Sequence, residues 1–294
     1  MNDAKVALGR ALFYDTRLSG NGTFACASCH KQELAFTDGR AHALGSTGQE
    51  HPRSSMTLTN VAYNASFGWT DGNVRTLESQ LAVPMLNEHP VELGLKGREV
   101  EVVARFDSAK DRQRFAEAFP SDPRPLSFGN IVKAVAAFER TLVSSESPLD
   151  RLLYQDDRTA LTASARRGMD LFFSTRIGCT RCHGGFNLSG PSVFDKSPAP
   201  VLTFHNSGLS ETEHFRAPTL RNIALTAPYM HDGRMATLEQ VIAHYASGTP
   251  ATPIRSKLLH AFVVTRRETA DLVAFLGSLT DQAFIANPAF KQPN

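Results

Sequence analysis

The chain has 294 residues, 41% hydrophobic and 20% charged, with 31 basic and 29 acidic residues for a net charge of +2. This is too apolar for wholesale disorder, lacks the basic excess of a nucleic-acid binder, and holds no apolar run of the ~20 residues a membrane helix needs. The length allows one large domain or two ordinary ones, and four cysteines are too few for a disulfide scaffold in a chain that can build its own core.

In chain order, Val6, Leu8, Leu12 and Phe13 predict a modest helix over residues 4–13. Val100, Val103, Phe106, Phe115 and Phe119, with charges between them, predict a helix over 98–119. Ser127 is a candidate N-cap for an apolar stripe of Ile131, Val132, Val135, Phe138 and Leu142. The pattern breaks at Ser144–Pro148, which places a domain boundary near 145–158. A further helix is expected over 160–173, with Leu161, Ala165, Met169 and Phe172 on one side. Thr237 and Gln240 have capping-box spacing and start a helix through Tyr245, and a late helix is expected over 267–279. No sustained alternation appears, so the fold class is mostly α with at most a minor sheet.

The cysteines fall as Cys26/Cys29 and Cys179/Cys182, each pair followed at once by a histidine, His30 and His183. Cys-x-x-Cys-His reads as a covalent c-type haem attachment, with two thiols for thioether bonds and an imidazole for the iron. A zinc site, a redox dithiol and two local disulfides are the alternatives. A zinc site pooling the four thiols would bring the pairs together from opposite halves of the chain and leave the repeated histidine unexplained. A thioredoxin-like site would need a βαβ context, and none appears. Two motifs imply one haem per domain: residues 1–150, completed partly by C-terminal segments, and residues 151–294.

LGRALFYDTRLSGNGTFACASCH at 8–30, WTDGNVRTLESQLAVPM at 69–85, PVELG at 90–94, FFSTRIGCTRCHGG at 172–185 and FRAPTLRNIALTAPYMHDGRMATLEQVIAHY at 215–245 together resemble the bacterial di-haem cytochrome c peroxidases and their MauG-like relatives. The resemblance covers nearly the whole chain. It implies two cytochrome c-like haem domains, the N-terminal one reacting with H2O2 and the C-terminal one storing and relaying an electron. His30 and His183 then stand as proximal iron ligands. Trp69, the only tryptophan, takes the place between the haems. Gln80 and Glu92 resemble the polar pair of the peroxide pocket, where a carboxylate can move a proton between the peroxide oxygens. The segment MLNEHPVELG carries an apparent two-residue insertion, which makes Glu88 the rival of Glu92.

Within this family the second axial ligand of the C-terminal haem separates two branches. The peroxidases place methionine there, whereas the matching residue here is Tyr245, as in the MauG-like enzymes. A hard phenolate favours higher oxidation states more than a thioether does. Met230, Met235 and His244 are the alternatives. Pro84 matches a proline of the MauG-like open pocket, so the N-terminal haem is expected to be five-coordinate, with His42 or His51 as the alternative sixth ligand. The stretches HPRSSMTLTNVAY and NEHPVELG look closest to the branch that includes the di-haem enzyme of methanobactin gene clusters. That resemblance implies a bis-Fe(IV) state that oxidises an aromatic residue of a partner protein, with tryptophan the expected target. The alternative is a peroxidase that reduces H2O2 to water with electrons from a small cytochrome or cupredoxin. A non-catalytic electron carrier is disfavoured by Gln80 and Glu92.

The resemblance also implies a calcium ion between the domains, on oxygens of Asn60, Thr226 and Pro228. His231 and Asp232 belong to the same region, and Arg216 and Arg221 are candidates to pair with haem propionates. Covalent haem attachment points to the periplasm. Residues 1–20 contain no leader pattern, so a leader is expected in the gene rather than in this sequence.

Overall fold

The computed structural model describes residues 1–190 and 204–293. The regular structure of the described residues is almost all helical, with one sheet of two short strands. The helices are α1 (Asp3–Phe13), α2 (Cys26–Cys29), α3 (Leu77–Leu86), α4 (Glu99–Ala104), α5 (Ala109–Ala118), α6 (Phe128–Glu139), α7 (Pro148–Tyr154), α8 (Ala163–Phe173), α9 (Leu238–Ala246), α10 (Arg266–Gly277) and α11 (Gln282–Ala286). The strands β1 (Phe204–His205) and β2 (Phe215–Arg216) pair antiparallel, Phe204 opposite Arg216. Among the described residues no helix is long and apolar enough to cross a membrane.

Most helix starts follow from a capping side chain. Asn2, Thr76, Ser108, Ser127, Ser147, Thr162, Thr237 and Thr265 each accept a backbone N–H from the first turn that follows. Two expectations change. The helix anticipated over 98–119 is two helices, because Ser108 caps Asp111 and starts α5 afresh. The break anticipated near 145–158 contains α7, started by a reciprocal Ser147–Asp150 capping box with Pro148 in the first turn.

The chain divides into two compact units. The first comprises Met1–Ala62, Val74–Val143 and Ile285–Asn294; the second comprises Tyr63–Asn73 and Ser144–Phe284. In the first unit α1 packs on α6. Gly9 is required there, since a Cβ would lie 1.8 Å from the Ala134 carbonyl oxygen and 3.1 Å from the Phe138 Cβ. Phe13 meets Phe138 edge-on at 5.2 Å, and both are buried. The C-terminal segment returns to this unit, where the Tyr14 hydroxyl donates to the Phe290 carbonyl at 2.7 Å.

The second unit repeats this design. α8 packs on α10, and a Cβ on Gly168 would lie 1.9 Å from the Asp271 carbonyl oxygen and 2.8 Å from the Phe275 Cβ. Phe172 meets Phe275 at 5.1 Å. The two halves therefore share a Gly-x-x-Leu-Phe helix that lies close against the backbone of a later helix and leads into a Cys-x-x-Cys-His motif. The apolar cluster of the second unit includes Phe172, Ile177, Leu238, Ile242, Leu272, Phe275 and Leu276, with Cys179 against it.

Candidate functional site

Cys26 and Cys29 lie three residues apart on the one-turn helix α2, and Cys179 starts a 3-10 turn over Cys179–Arg181, with Cys182 capping it. All four thiols are free. Burial pushes every thiol up, Cys29 and Cys182 to about 11 and Cys179 to about 12. A redox dithiol needs the opposite shift, toward thiolate at neutral pH. Among the described residues no group of three or more His, Cys, Asp or Glu side chains is placed to hold a metal ion, so a pooled zinc site finds no support.

The histidines are oriented alike. His30 Nδ1 donates to the Phe36 carbonyl at 2.9 Å, and His183 Nδ1 donates to the Leu188 carbonyl at 3.1 Å. A carbonyl only accepts, so with the proton on Nδ1 these bonds leave the Nε2 lone pair to a metal; each ring also has a second backbone acceptor, Met56 for His30 and Pro218 for His183. Burial lowers both imidazoles from their usual range, which favours the neutral, ligating form. The donor set in each unit, two protonated thiols and a neutral imidazole oriented by a backbone carbonyl, fits a c-type haem.

In the first unit a cavity of about 610 Å³, counting the space at its mouth, opens beside the motif. Cys26, Cys29 and His30 line it, together with Pro84, Met85, His51, Glu92 and Glu139. Glu92 is held in place by its own backbone and that of its neighbours. Ser46 N–H donates to the Glu92 carbonyl at 2.7 Å, Gly20 N–H to Leu93 at 2.7 Å, and Leu93 N–H to Pro84 at 2.9 Å. Gly45 lets this loop approach, because a Cβ there would sit 1.9 Å from the Val91 carbonyl oxygen. Burial pushes the Glu92 carboxyl up to about 7. Glu88, by contrast, is exposed and paired with Lys96 at 2.5 Å.

Pro84 lies within α3 and cannot supply the N–H that the Gln80 carbonyl would otherwise take. Gln80 stands one turn earlier on the same helix face, partly buried, but is not among the residues lining the cavity. His51 reaches the cavity wall. Its Nδ1 accepts the Arg53 N–H at 3.1 Å, which puts the ring proton on Nε2, the wrong tautomer for an Nε2 ligand. His42 is exposed.

In the second unit Tyr245 lies on α9, partly buried and near enough to Cys179 and Cys182 for their charges to bear on it. Burial raises its phenol well above the usual range. His244, the next residue, donates its Nε2–H to the Ser207 carbonyl at 3.0 Å. Met235 packs against the apolar cluster, and Tyr229 and Met235 bond through their backbones.

Trp69 belongs to the second unit. Its carbonyl accepts the Arg216 N–H at 2.9 Å, and its ring meets Phe215 edge-on at 6.5 Å. Phe215 in turn stacks on His231 at 4.1 Å, and Asp232 beside it pairs with Arg234 at 2.5 Å. Arg216 is partly buried and lowered to about 10 by burial, so it stays charged at neutral pH. Arg221 is not a surface residue, as a mere surface pair would require. It is buried and forks onto Asp150 at 2.7 and 2.9 Å, which commits both terminal nitrogens to the capping carboxylate of α7.

Asn60 is fully buried in the first unit and takes a positive φ of 54°, its N–H bound to the Leu142 carbonyl. Thr226 and Pro228 lie in the second unit, the former capping the turn Ile223–Leu225. Glu139, on α6, carries no local sequence signal, yet it lines the cavity and is 4% exposed.

A family model described as di-haem cytochrome c peroxidase matches residues 3–158. The methylamine utilization protein MauG of Methylorubrum extorquens is 34% identical over 289 residues, covering 94% of this chain and 78% of that protein. The chain belongs to the di-haem cytochrome c peroxidase and MauG family. It is a haem-dependent oxidoreductase that acts with peroxide. The cytochrome c551 peroxidase of Pseudomonas aeruginosa is 36% identical over 249 residues, 80% of this chain and 70% of that one. A crystal structure described as a MauG-like protein associated with microbial copper homeostasis superposes with a TM-score of 0.94 at 40% identity, over 100% of this chain and 94% of that one.

Proposed function

We propose that this enzyme is of the MauG-like kind and uses H2O2 to oxidise an aromatic residue, with tryptophan the expected target, on a periplasmic partner protein. The observation that carries this reading is Tyr245, held on α9 beside the two thiols of the second motif. The likeness to a MauG-like protein associated with copper homeostasis supports it. Each unit would bind one haem c, through Cys26, Cys29 and His30 in the first and Cys179, Cys182 and His183 in the second. The haems supply the redox chemistry that takes two electrons from the partner to peroxide. Glu92 holds and moves the proton at the peroxide oxygens, and Pro84 shapes the cavity. Gln80 is assigned to the same pocket, and Trp69 to electron passage. Tyr245, whose buried phenol resists ionisation, becomes a phenolate only beside a cation such as a ligated iron. Calcium is assigned to Asn60, Thr226 and Pro228, and loss of peroxide reactivity on chelation, restored by added calcium, is the expected outcome.

The competing reading, a peroxidase fed by a small cytochrome or cupredoxin, draws on the comparable identity to the Pseudomonas peroxidase. One titration separates them. Peroxide added to the fully oxidised protein should change its optical spectrum with no prior reductant. Tyr245→Met should abolish that response or make it depend on half-reduction. An oxidised wild-type protein that ignores peroxide, and answers only after reduction, overturns the proposal.

A further inference from the structure

The internal repeat permits a comparison of the two units at matched positions. Gly9 against Ala134 and Phe138 corresponds to Gly168 against Asp271 and Phe275. In that register Glu139 stands where the second unit has Leu276, a buried leucine of the apolar cluster that Cys179 packs against. A leucine therefore satisfies the packing of this position. In the first unit the same place carries a carboxyl that is 4% exposed, lines the cavity and lies near enough to Cys26 to bear on its charge. A buried carboxyl without compensation is costly, so its presence where leucine serves asks for a role.

We propose that Glu139 is the charge-compensating group of the first haem site, releasing a proton as an electron leaves that haem and recovering one as the electron returns. The proposal rests on the reading that Cys26, Cys29 and His30 carry a haem. On oxidation the Glu139 O–H bond breaks, the carboxylate remains, and one proton passes to solvent. The electron goes to an electrode in the experiment and to peroxide in turnover. Re-reduction reverses both transfers.

The surroundings suit this. Burial holds the Glu139 carboxyl up at about 8, so it carries its proton at neutral pH and can lose it when positive charge appears nearby. Glu78 of α3 and the neighbouring Arg140 bear on its charge in opposite senses, and these two pair with each other at 2.7 Å. Cys26 faces it from α2. α1 buries only Leu8, Gly9, Leu12 and Phe13, and α4 buries only Val102, while its Glu101 pairs with Arg98 and Arg105. The other titratable groups of the cavity are His30, His51, Glu92 and Cys29.

The test is the reduction potential of the first haem in the holoprotein, measured against pH for wild type, Glu139→Gln and Glu139→Leu. In wild type the potential should fall as pH rises toward about 8, by at most a tenfold change in the reduction equilibrium per pH unit for one proton per electron. Both variants should lose the part of that dependence centred near pH 8. A redox difference infrared spectrum should also lose a protonated-carboxyl band in Glu139→Gln. An unchanged pH dependence in Glu139→Gln overturns the proposal. So does failure of both Glu139 variants to bind haem, which would make the residue a folding element. Mass spectrometry of wild-type peptides shows whether Cys26 and Cys29 carry haem. Its absence there removes the underlying reading, whereas attached haem with an unchanged pH dependence removes only this inference.

Discussion

Glu92 gives a quantitative expectation for turnover. Its carboxyl is pushed up by burial from the ordinary 4.5 to about 7. If the carboxylate form takes the peroxide proton, the rate of peroxide consumption should follow the ionised fraction. That fraction is about 0.1 at one unit below the pKa, about 0.5 at the pKa and about 0.9 one unit above it. The rate should thus rise roughly tenfold between about pH 6 and pH 8, where an ordinary glutamate would give a nearly flat profile. Glu92→Gln removes the proton carrier and keeps the shape. Its rate should fall by about 10²–10⁴ and lose the rise. The same burial has a consequence for stability. A carboxyl whose folded pKa is raised stabilises the fold below the unfolded value and loses that contribution as pH rises through about 7. Glu92→Gln should therefore unfold at a higher temperature than wild type at pH 8, while being slower. Stopped-flow mixing with peroxide and thermal melts at both pH values measure the two effects. A wild-type profile that is flat from pH 6 to 8, or a Gln variant that keeps the rise, refutes the assignment.

Three further outcomes follow from the packing. Gly168→Ala would place a Cβ 1.9 Å from the Asp271 backbone oxygen, forcing α8 and α10 apart, and should cost about 1–3 kcal/mol or more. Gly129→Ala on α6 meets nothing within 4 Å and should be neutral or slightly stabilising in the same denaturant titration. Asp150→Ala would strand the buried Arg221 guanidinium and should cost about 3–5 kcal/mol. Arg221 and the Ser147 bonds hold the Asp150 carboxyl below its usual range against the cost of burial, so this contribution is present above the ordinary carboxylate pKa and is lost as pH falls through the folded value. A melt of wild type that is insensitive to acid below pH 4, or an Asp150→Ala protein as stable as wild type, contradicts this account.

Local signals in the sequence were informative where the physics is local. The Ser127 cap and the Thr237–Gln240 box need only neighbouring residues, and each appears as expected. The same logic missed α7, although Ser147, Pro148 and Asp150 spell a capping box, because the Pro-containing break outweighed it. Apolar spacing runs unbroken across Ser108 in 98–119 and conceals a side chain able to restart the backbone. The burial of Arg221 against Asp150 is illegible for a different reason. Its partner Asp150 is far away in sequence, and an arginine carries no sign of burial in its own neighbourhood. Residues 63–73, with Trp69, join the second unit through contacts such as Arg216 N–H to the Trp69 carbonyl, which no local pattern encodes.

Glu139 escaped for a reason that also shows how to find such residues. On α6 it follows Phe138 at the edge of an apolar stripe and precedes Arg140, so in isolation it reads as a solvated charge. Only the second copy of the fold reveals what packing alone would place there. Two units that share a glycine contact, an aromatic pair and a Cys-x-x-Cys-His motif invite comparison, and a departure at a matched buried position is a candidate for chemistry. By that criterion the first unit differs from the second in carrying a carboxyl beside its first attachment thiol where the second carries leucine. In the proposed function the reaction is asymmetric in the same sense: peroxide chemistry consumes protons, whereas electron passage alone does not. On the proposed function, Glu92 and Glu139 equip the unit with the open cavity to handle protons, and Tyr245 equips the other to hold charge.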